Sequence, residues 1–430
     1  MIKIIKSDFK NLKYDNIFFS GILFCLLPFF LITGPFLSDL AVSLIAILFL
    51  TNKKIYIKLN IEKYFKNFFF YFFILFFIYL IFTSLISDYY LYSFKKVIFY
   101  FRFFIFSLAV WYLLDEKKIW LKYFFYCILF CFIILIFDGY FQYFFEKNLL
   151  GMKPVLNHRI SSFFGDELIL GSYLSRLFPI LLGLIFYFIK KTNLIFYLIL
   201  FVGIISVDVL VFLSGERSAF FYINLSSLMF IVFMSNHKLF RLIVYISTLL
   251  IIILMTSIFP DTKARIINLT LAQTGLFTEN KILFSPQHER IYNAGIEIIK
   301  DKPILGSGPN TFRKECLKYE ILNSEKFRCT THPHNTYLQL FLETGIFGFF
   351  MICLLFLIVN YLLFKNLYFK ITKKKVLYFD DLIICLLISL YISLFPFLPS
   401  GNFFNNYLSS VYFLPTGILL WKFNHIKSKH

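Results

Sequence analysis

His332 and His334 flank a proline in the stretch THPHNTYLQL, residues 331–340, where polar sequence gives way to a long apolar run. Imidazole titrates near neutrality, so a histidine kept uncharged by its surroundings can accept a proton. Pro333 suits the first position of a helix, with Thr331 or His332 as cap and His334 and Asn335 in the first turn. The partial positive charge of a helix start disfavours an imidazolium and favours a nearby phosphate. On that reading His334 is neutral near pH 7. A neutral base beside an anion site can activate a hydroxyl group.

The anion site would need cations. Arg217, in FLSGERSAFF, has Glu216 as its sequence neighbour, but adjacent helical residues point apart, so that pairing is poor. Arg159, in NHRISSFFGDELILGS, and Arg290, in SPQHERIYNAG, are each ordinary surface charges when taken singly. Together with Arg217 they form a set of guanidiniums able to grip a diphosphate bidentately. Arg176, in SYLSRLFPI, and Arg102, in IFYFRFFIF, lie inside apolar runs, where a charge needs a partner or a purpose. Arg102 has no acid nearby in sequence and reads as a structural or snorkelling residue.

The elements that must position these groups are membrane helices. Of 430 residues, 59% are hydrophobic and 63 are phenylalanine, with mean hydropathy +0.76. A soluble domain cannot cover such a chain with polar surface. Apolar runs recur at roughly 17–33, 37–50, 68–86, 97–114, 120–137, 168–189, 194–213, 219–234, 239–259, 345–364, 380–398 and 404–421. The longer of them match the length an α-helix needs to cross about 30 Å of hydrocarbon. Barrel strands would alternate apolar and polar residues instead. The fold class is therefore an all-α integral membrane protein of about twelve spans. The first run, after Lys3, Lys6, Lys10 and Lys13, is too long for a signal-peptide core and reads as a retained helix.

Charge sets the orientation. More than half of the 43 lysines and arginines fall in the two ends and the even-numbered connections, as in TNKKIYIKLNIEKYFK and FKNLYFKITKKK. Short cytoplasmic loops collect such residues, so both termini are expected in the cytoplasm. The net charge of +19 thus marks orientation, not nucleic-acid binding. Residues 1–259 make nine spans with an outward segment at 138–167. Residues 260–344 make a large, partly helical outward loop that carries the reactive motifs, and 345–430 make three spans and a cytoplasmic tail. In the loop, Ile291, Ala294, Ile298 and Ile299 share one helical face that ends at Pro303. Asp380 and Asp381 start the eleventh helix.

Four of the seven histidines, His158, His288, His332 and His334, lie on the outward side; His237, His425 and His430 do not. The run ending CTTHPH also has the look of a zinc site built from Cys316, Cys329, His332 and His334. The outward compartment is oxidising, so Cys316 and Cys329 are expected to form a disulfide instead. The chain has no Walker-type phosphate loop, no Gly-x-Ser-x-Gly elbow and no outward carboxylate cluster to hold a divalent metal. Chemistry there needs no cofactor if its donor is already activated, as a sugar on a lipid diphosphate is.

SGERSAF, DKPILGSGPNTF and above all HPHNTYLQLFLETGIFG resemble the O-antigen ligase and polymerase superfamily, and TGPFLSDL, RISSFFGDELILGSYLSRL and PSGNFFNNYLS resemble its ligase-type members. The resemblance implies a metal-independent, inverting glycosyltransferase at the periplasmic face of a bacterial inner membrane. It would move a polysaccharide from undecaprenyl diphosphate to a sugar of lipid A-core. His334 then matches the base, Arg217 and Arg159 match donor-binding arginines, and Arg290 or His288 supplies a further contact. His332 and Arg176 are secondary members of that set. A polymerase and a protein O-oligosaccharyltransferase share the donor half. A flippase is a different class, disfavoured by the absence of internal repeats and by polar residues gathered at one end and not at the midplane.

Overall fold

The computed structural model describes residues 15–155, 159–258, 263–273, 285–372 and 379–427. Lys3, Lys6, Lys10, Lys13, His158 and His430 lie outside them. A helix covers each expected span: α1 Asn16–Phe30, α2 Pro35–Leu50, α3 Phe68–Leu85, α4 Tyr90–Glu116, α5 Ile119–Phe145, α6 Leu170–Phe188, α7 Leu194–Leu213, α8 Arg217–Phe233 and α9 Lys238–Ile258. The loop then carries α10 Pro286–Asp301 and α11 Phe312–Leu322, before α12 Thr336–Ile371, α13 Asp381–Ser393 and α14 Asn406–Lys427. Seven of these, α3, α4, α5, α6, α7, α9 and α12, are long and apolar enough to cross a membrane, while α1, α2, α8 and α13 are shorter apolar helices. Helices satisfy their own backbone groups, which hydrocarbon cannot do for them.

The bundle centre is aromatic. Phe73 stacks on Phe104 at 4.2 Å, and Phe24 on Phe124 at 4.7 Å. Helix α14 lies along α4, with the Ser107 hydroxyl donating to the Phe413 carbonyl at 2.8 Å, and α13 lies along α6. Leu75 and Ile78 of α3, Ile199 and Val202 of α7 and Ile253 of α9 point out of the bundle, as faces that meet lipid should.

Several boundaries differ from the sequence reading, each for a local reason. Helix α5 runs on to Phe145, into the segment expected to be outward from residue 138. Its two polar residues face inward instead of ending it. Asp138 accepts from the Leu149 N–H at 2.8 Å and the Ser162 hydroxyl at 2.5 Å, and Gln142 accepts from the Ser161 and Ser162 N–H groups. Helix α13 stops at Ser393, short of 398, because Pro396 and Pro399 follow. Asp380 caps it, accepting from the Ile383 N–H at 3.0 Å. Arg102 does have an acid. Its Nε donates to Asp39 at 3.0 Å, and its Nη2 bonds the same oxygen.

The feature that shapes the loop end of the bundle is a break in α12. Gly345 has φ +64 and ψ −167, so the helix that opens at Thr336 is interrupted where the tenth span begins. The break frees backbone groups that the loop then pairs. Leu342 and Glu343 carbonyls accept from the Ser307 and Gly308 N–H groups at 2.9 and 2.8 Å, and the Ile346 N–H donates to Pro303 at 3.1 Å. The Tyr79 hydroxyl donates to the Thr344 carbonyl at 2.7 Å. GSGPN and LETGIFG, apart in sequence, thereby interlock.

Above this joint α10 and α11 bury a second, smaller core of Ile291, Ala294, Ile298, Phe312, Phe327 and Leu342. Ile291, Ala294 and Ile298 are the buried face read from the sequence, with Ile299 partly buried beside them. Cys316 and Cys329 are joined in a disulfide with 5.3 Å between Cα atoms, which ties the strip before His332 to α11. Replacing both by serine should remove about 3 kcal/mol of chain-entropy stabilisation for a loop of this size. The measurement is thermal unfolding with and without reductant. Reductant should lower the melting temperature of the native chain and leave the double variant unmoved.

Candidate active site

His334 is not in a helix. It has φ +53, a left-handed conformation that is uncommon outside glycine and marks a position held by its surroundings. The helix starts at Thr336, three residues later than expected. Asn335 is the cap, its side chain accepting from the Tyr337 and Leu338 N–H groups at 3.0 Å. Pro333 therefore does not open the helix, and neither Thr331 nor His332 caps it. The left-handed turn is clamped from the connection between α13 and α14. The Ser400 N–H donates to the His334 carbonyl at 2.8 Å, and the Asn335 amide donates to Pro396 at 2.8 Å. Thr336 and Ser400 hydroxyls meet at 2.8 Å.

Three imidazoles meet at this point. The His334 ring lies 4.1 Å from His332 and 5.4 Å from His288, centroid to centroid. Burial holds His334 below the ordinary histidine range, so it is neutral at pH 7, as expected from sequence. The cause differs from the expected helix dipole. Burial, then the His334 ring, then Arg217, push His288 down to about 4; burial and His334 push His332 down to about 3. The Ser285 hydroxyl contacts His288 Nδ1 at 2.6 Å.

Arg217 is the first residue of α8 and lies within electrostatic reach of His288. The junction it opens is built by its neighbours. Glu216 does not pair with it locally; its carboxylate accepts from the Gly171 and Ser172 N–H groups at 2.7 and 3.0 Å, closing the start of α6. Burial pushes that carboxyl up to about 7, against those two donors and against Arg159 and Arg176. Arg159 is buried and donates from Nε to the Ser214 carbonyl at 2.9 Å. Arg176 is buried one turn and a half into α6, its guanidinium 4.8 Å over the Tyr222 ring. Arg159, Arg176, Arg217 and Glu216 thus gather at one junction, with Arg217 reaching toward the histidines.

Arg290 takes a different direction. It lies two positions after His288 on α10, a spacing that points side chains apart. Its guanidinium bonds the Ser324 carbonyl, and its own carbonyl accepts from the Arg328 N–H at 3.2 Å. Of the two alternatives left open by the sequence, His288 faces His334, while Arg290 braces the 323–328 strip.

Helix α12 carries a further polar network that the sequence reading did not single out. Gln339 donates to Glu343 at 3.0 Å and to Asn402 at 2.9 Å and accepts from the Phe403 N–H at 2.9 Å. Glu343 accepts from the Asn310 and Phe312 N–H groups at 2.8 and 3.1 Å. Asn402 donates to Asn310, itself left-handed at φ +63. The i, i+4 spacing of Gln339 and Glu343 in an otherwise apolar run was the available signal. This network holds the turn of the loop, the start of α12 and the last connection in one piece.

Residues 199–353 match the O-antigen ligase family. The match covers 155 of the 430 residues and agrees with the superfamily resemblance read from the motifs, in a chain whose long apolar helices suit a membrane protein. The matched segment begins in α7 and ends in α12. It includes Arg217, all three clustered histidines, Arg290 and the break at Gly345, while Arg159, Arg176 and the 396–405 connection lie outside it. Comparison with curated proteins returns no match.

Proposed function

We propose that the chain is an O-antigen ligase-type glycosyltransferase. It moves a polysaccharide from undecaprenyl diphosphate to a sugar of lipid A-core at the periplasmic face of the inner membrane, with both termini in the cytoplasm and residues 260–344 as the reactive periplasmic loop. The observation that carries this reading is His334, neutral and held in a left-handed turn against two other imidazoles, beside an arginine-built junction.

In the proposed reaction His334 takes the proton of the acceptor hydroxyl as that oxygen attacks the anomeric carbon. The bond from that carbon to the diphosphate breaks, and its electron pair leaves with undecaprenyl diphosphate. Arg217 and Arg159, with Arg176 behind them, stabilise the charge that develops on the leaving oxygen. His288 supplies a neutral donor on the same side, and His332 packs against the base. Attack opposite the leaving group inverts the anomeric centre, and no step calls for a metal.

The deciding experiment is deletion of the gene, read on a lipopolysaccharide gel and by extraction of carrier lipid. Loss of the long ladder with polymer accumulating on the carrier is the expected outcome. A single repeat capping the core would assign a polymerase instead. An intact ladder would refute both.

A further inference from the structure

The loop end of the bundle holds a second charged recess that shares no residue with the arginine junction. A cavity of about 320 Å³ opens where α2, α4 and α14 meet. Lys95, Lys96 and Arg102 supply three positive charges and Asp39 one negative, so the recess carries a net charge of +2. Tyr100, Phe103 and Phe404 form its apolar wall. Arg102 is fixed, bonded to Asp39 through Nε at 3.0 Å and through Nη2, with its guanidinium 4.6 Å over the Phe103 ring. Lys96 lies within electrostatic reach of both Arg102 and Asp39. Among the described residues neither Lys95 nor Lys96 has a carboxylate within ion-pair distance.

Three cations crowded around one carboxylate repel each other, and an anion would relieve that repulsion. The rim identifies where the anion comes from. Phe99, which lines the recess, is an exposed large apolar side chain, as are Leu40 and Ile98, the sequence neighbours of the lining Asp39 and Phe99; such surface lies against lipid. An ammonium pair and a guanidinium suit phosphate oxygens, and basic recesses between membrane helices hold phosphorylated headgroups. The charge selects among them. A phosphate monoester carries about −1.5 to −2 at pH 7, which balances +2, whereas a diester carries about −1.

We propose that this recess binds the phosphomonoester headgroup of a membrane lipid. The proposal stands on charge and geometry, independently of the transfer reaction. Its site still communicates with His334 through one connection: Ser400 holds the His334 carbonyl, Asn402 accepts from the Phe404 N–H at 2.8 Å, and Phe404 lines the recess.

The test titrates the detergent-solubilised full chain with dioctanoyl phosphatidate, followed by native mass spectrometry. One bound lipid is expected, with affinity falling about tenfold to thirtyfold in the Lys95→Gln/Lys96→Gln variant. Asp39→Asn should tighten binding, a gain that a misfolded variant cannot produce. His334→Ala should bind as the native chain does. Equal binding by the lysine variant, weaker binding by Asp39→Asn, or equal binding of dioctanoyl phosphatidylcholine would overturn the proposal. Inorganic phosphate competing at the affinity of the lipid would also overturn it, by assigning the recess to a free anion.

Discussion

Replacing His334 by alanine lowers glycan transfer by about 10²–10⁴-fold, the usual share of a general base, while the chain still inserts and folds. The measurement is in vitro transfer from lipid-linked donor, with the melting temperature as folding control. The pH profile supplies the sign. Burial lowers the His334 pKa, so the base stays unprotonated below pH 6.5 and the acid limb of the rate falls beneath the ordinary histidine value. Stability moves the same way. Unfolded histidines take up protons near 6.5, whereas His288 and His332 in the folded chain wait until about 4 and 3. The unfolded state therefore binds more protons throughout that window, and stability is lost as pH falls through it. A variant that keeps native transfer would remove His334 from the role of base.

Gly345→Ala should collapse the site without touching a reactive group. A Cβ built there would lie 2.0 Å from the Ile304 carbonyl oxygen and 2.7 Å from the Leu305 N, both backbone atoms that cannot rotate away. The left-handed φ adds strain of its own. Together these cost about 2–6 kcal/mol, enough to separate the 303–308 turn from α12. Transfer should vanish and the melting temperature of the loop core should fall. Gly203→Ala is the matched control, since nothing lies within 4 Å of its added carbon. A Gly345→Ala chain with native stability would mean that the joint can form without the break.

The membrane helices were legible because hydropathy is a local signal, and each expected span fell on a helix. His334 was legible as a residue type in an unusual setting, but its geometry was not. Asn is a stronger cap than His, and weighting Pro333 as a helix opener hid the cap at Asn335. The break at Gly345 was hidden for a different reason. A glycine inside an apolar run costs only about 1 kcal/mol relative to alanine, so LETGIFG reads as continuous helix. What breaks it is the 303–308 turn, about forty residues earlier. Arg102 and Asp39 are 63 residues apart, and nothing local announces their pairing. Arg290 and His288 could be told apart only once α10 had a direction in space.

The clamp on His334 sets a boundary for anyone exchanging parts between relatives. His334 and its neighbouring imidazoles belong to the 199–353 segment, but the groups that fix the His334 backbone, Ser400 and Pro396, follow that segment by more than forty residues. Arg159, pinned to the Ser214 carbonyl, precedes it. A chimera joined at the edges of the matched segment would carry the His334 side chain and lose the groups that hold its backbone. The smallest transplantable unit runs from Arg159 to Asn405, about 1.6 times the length of the 199–353 segment.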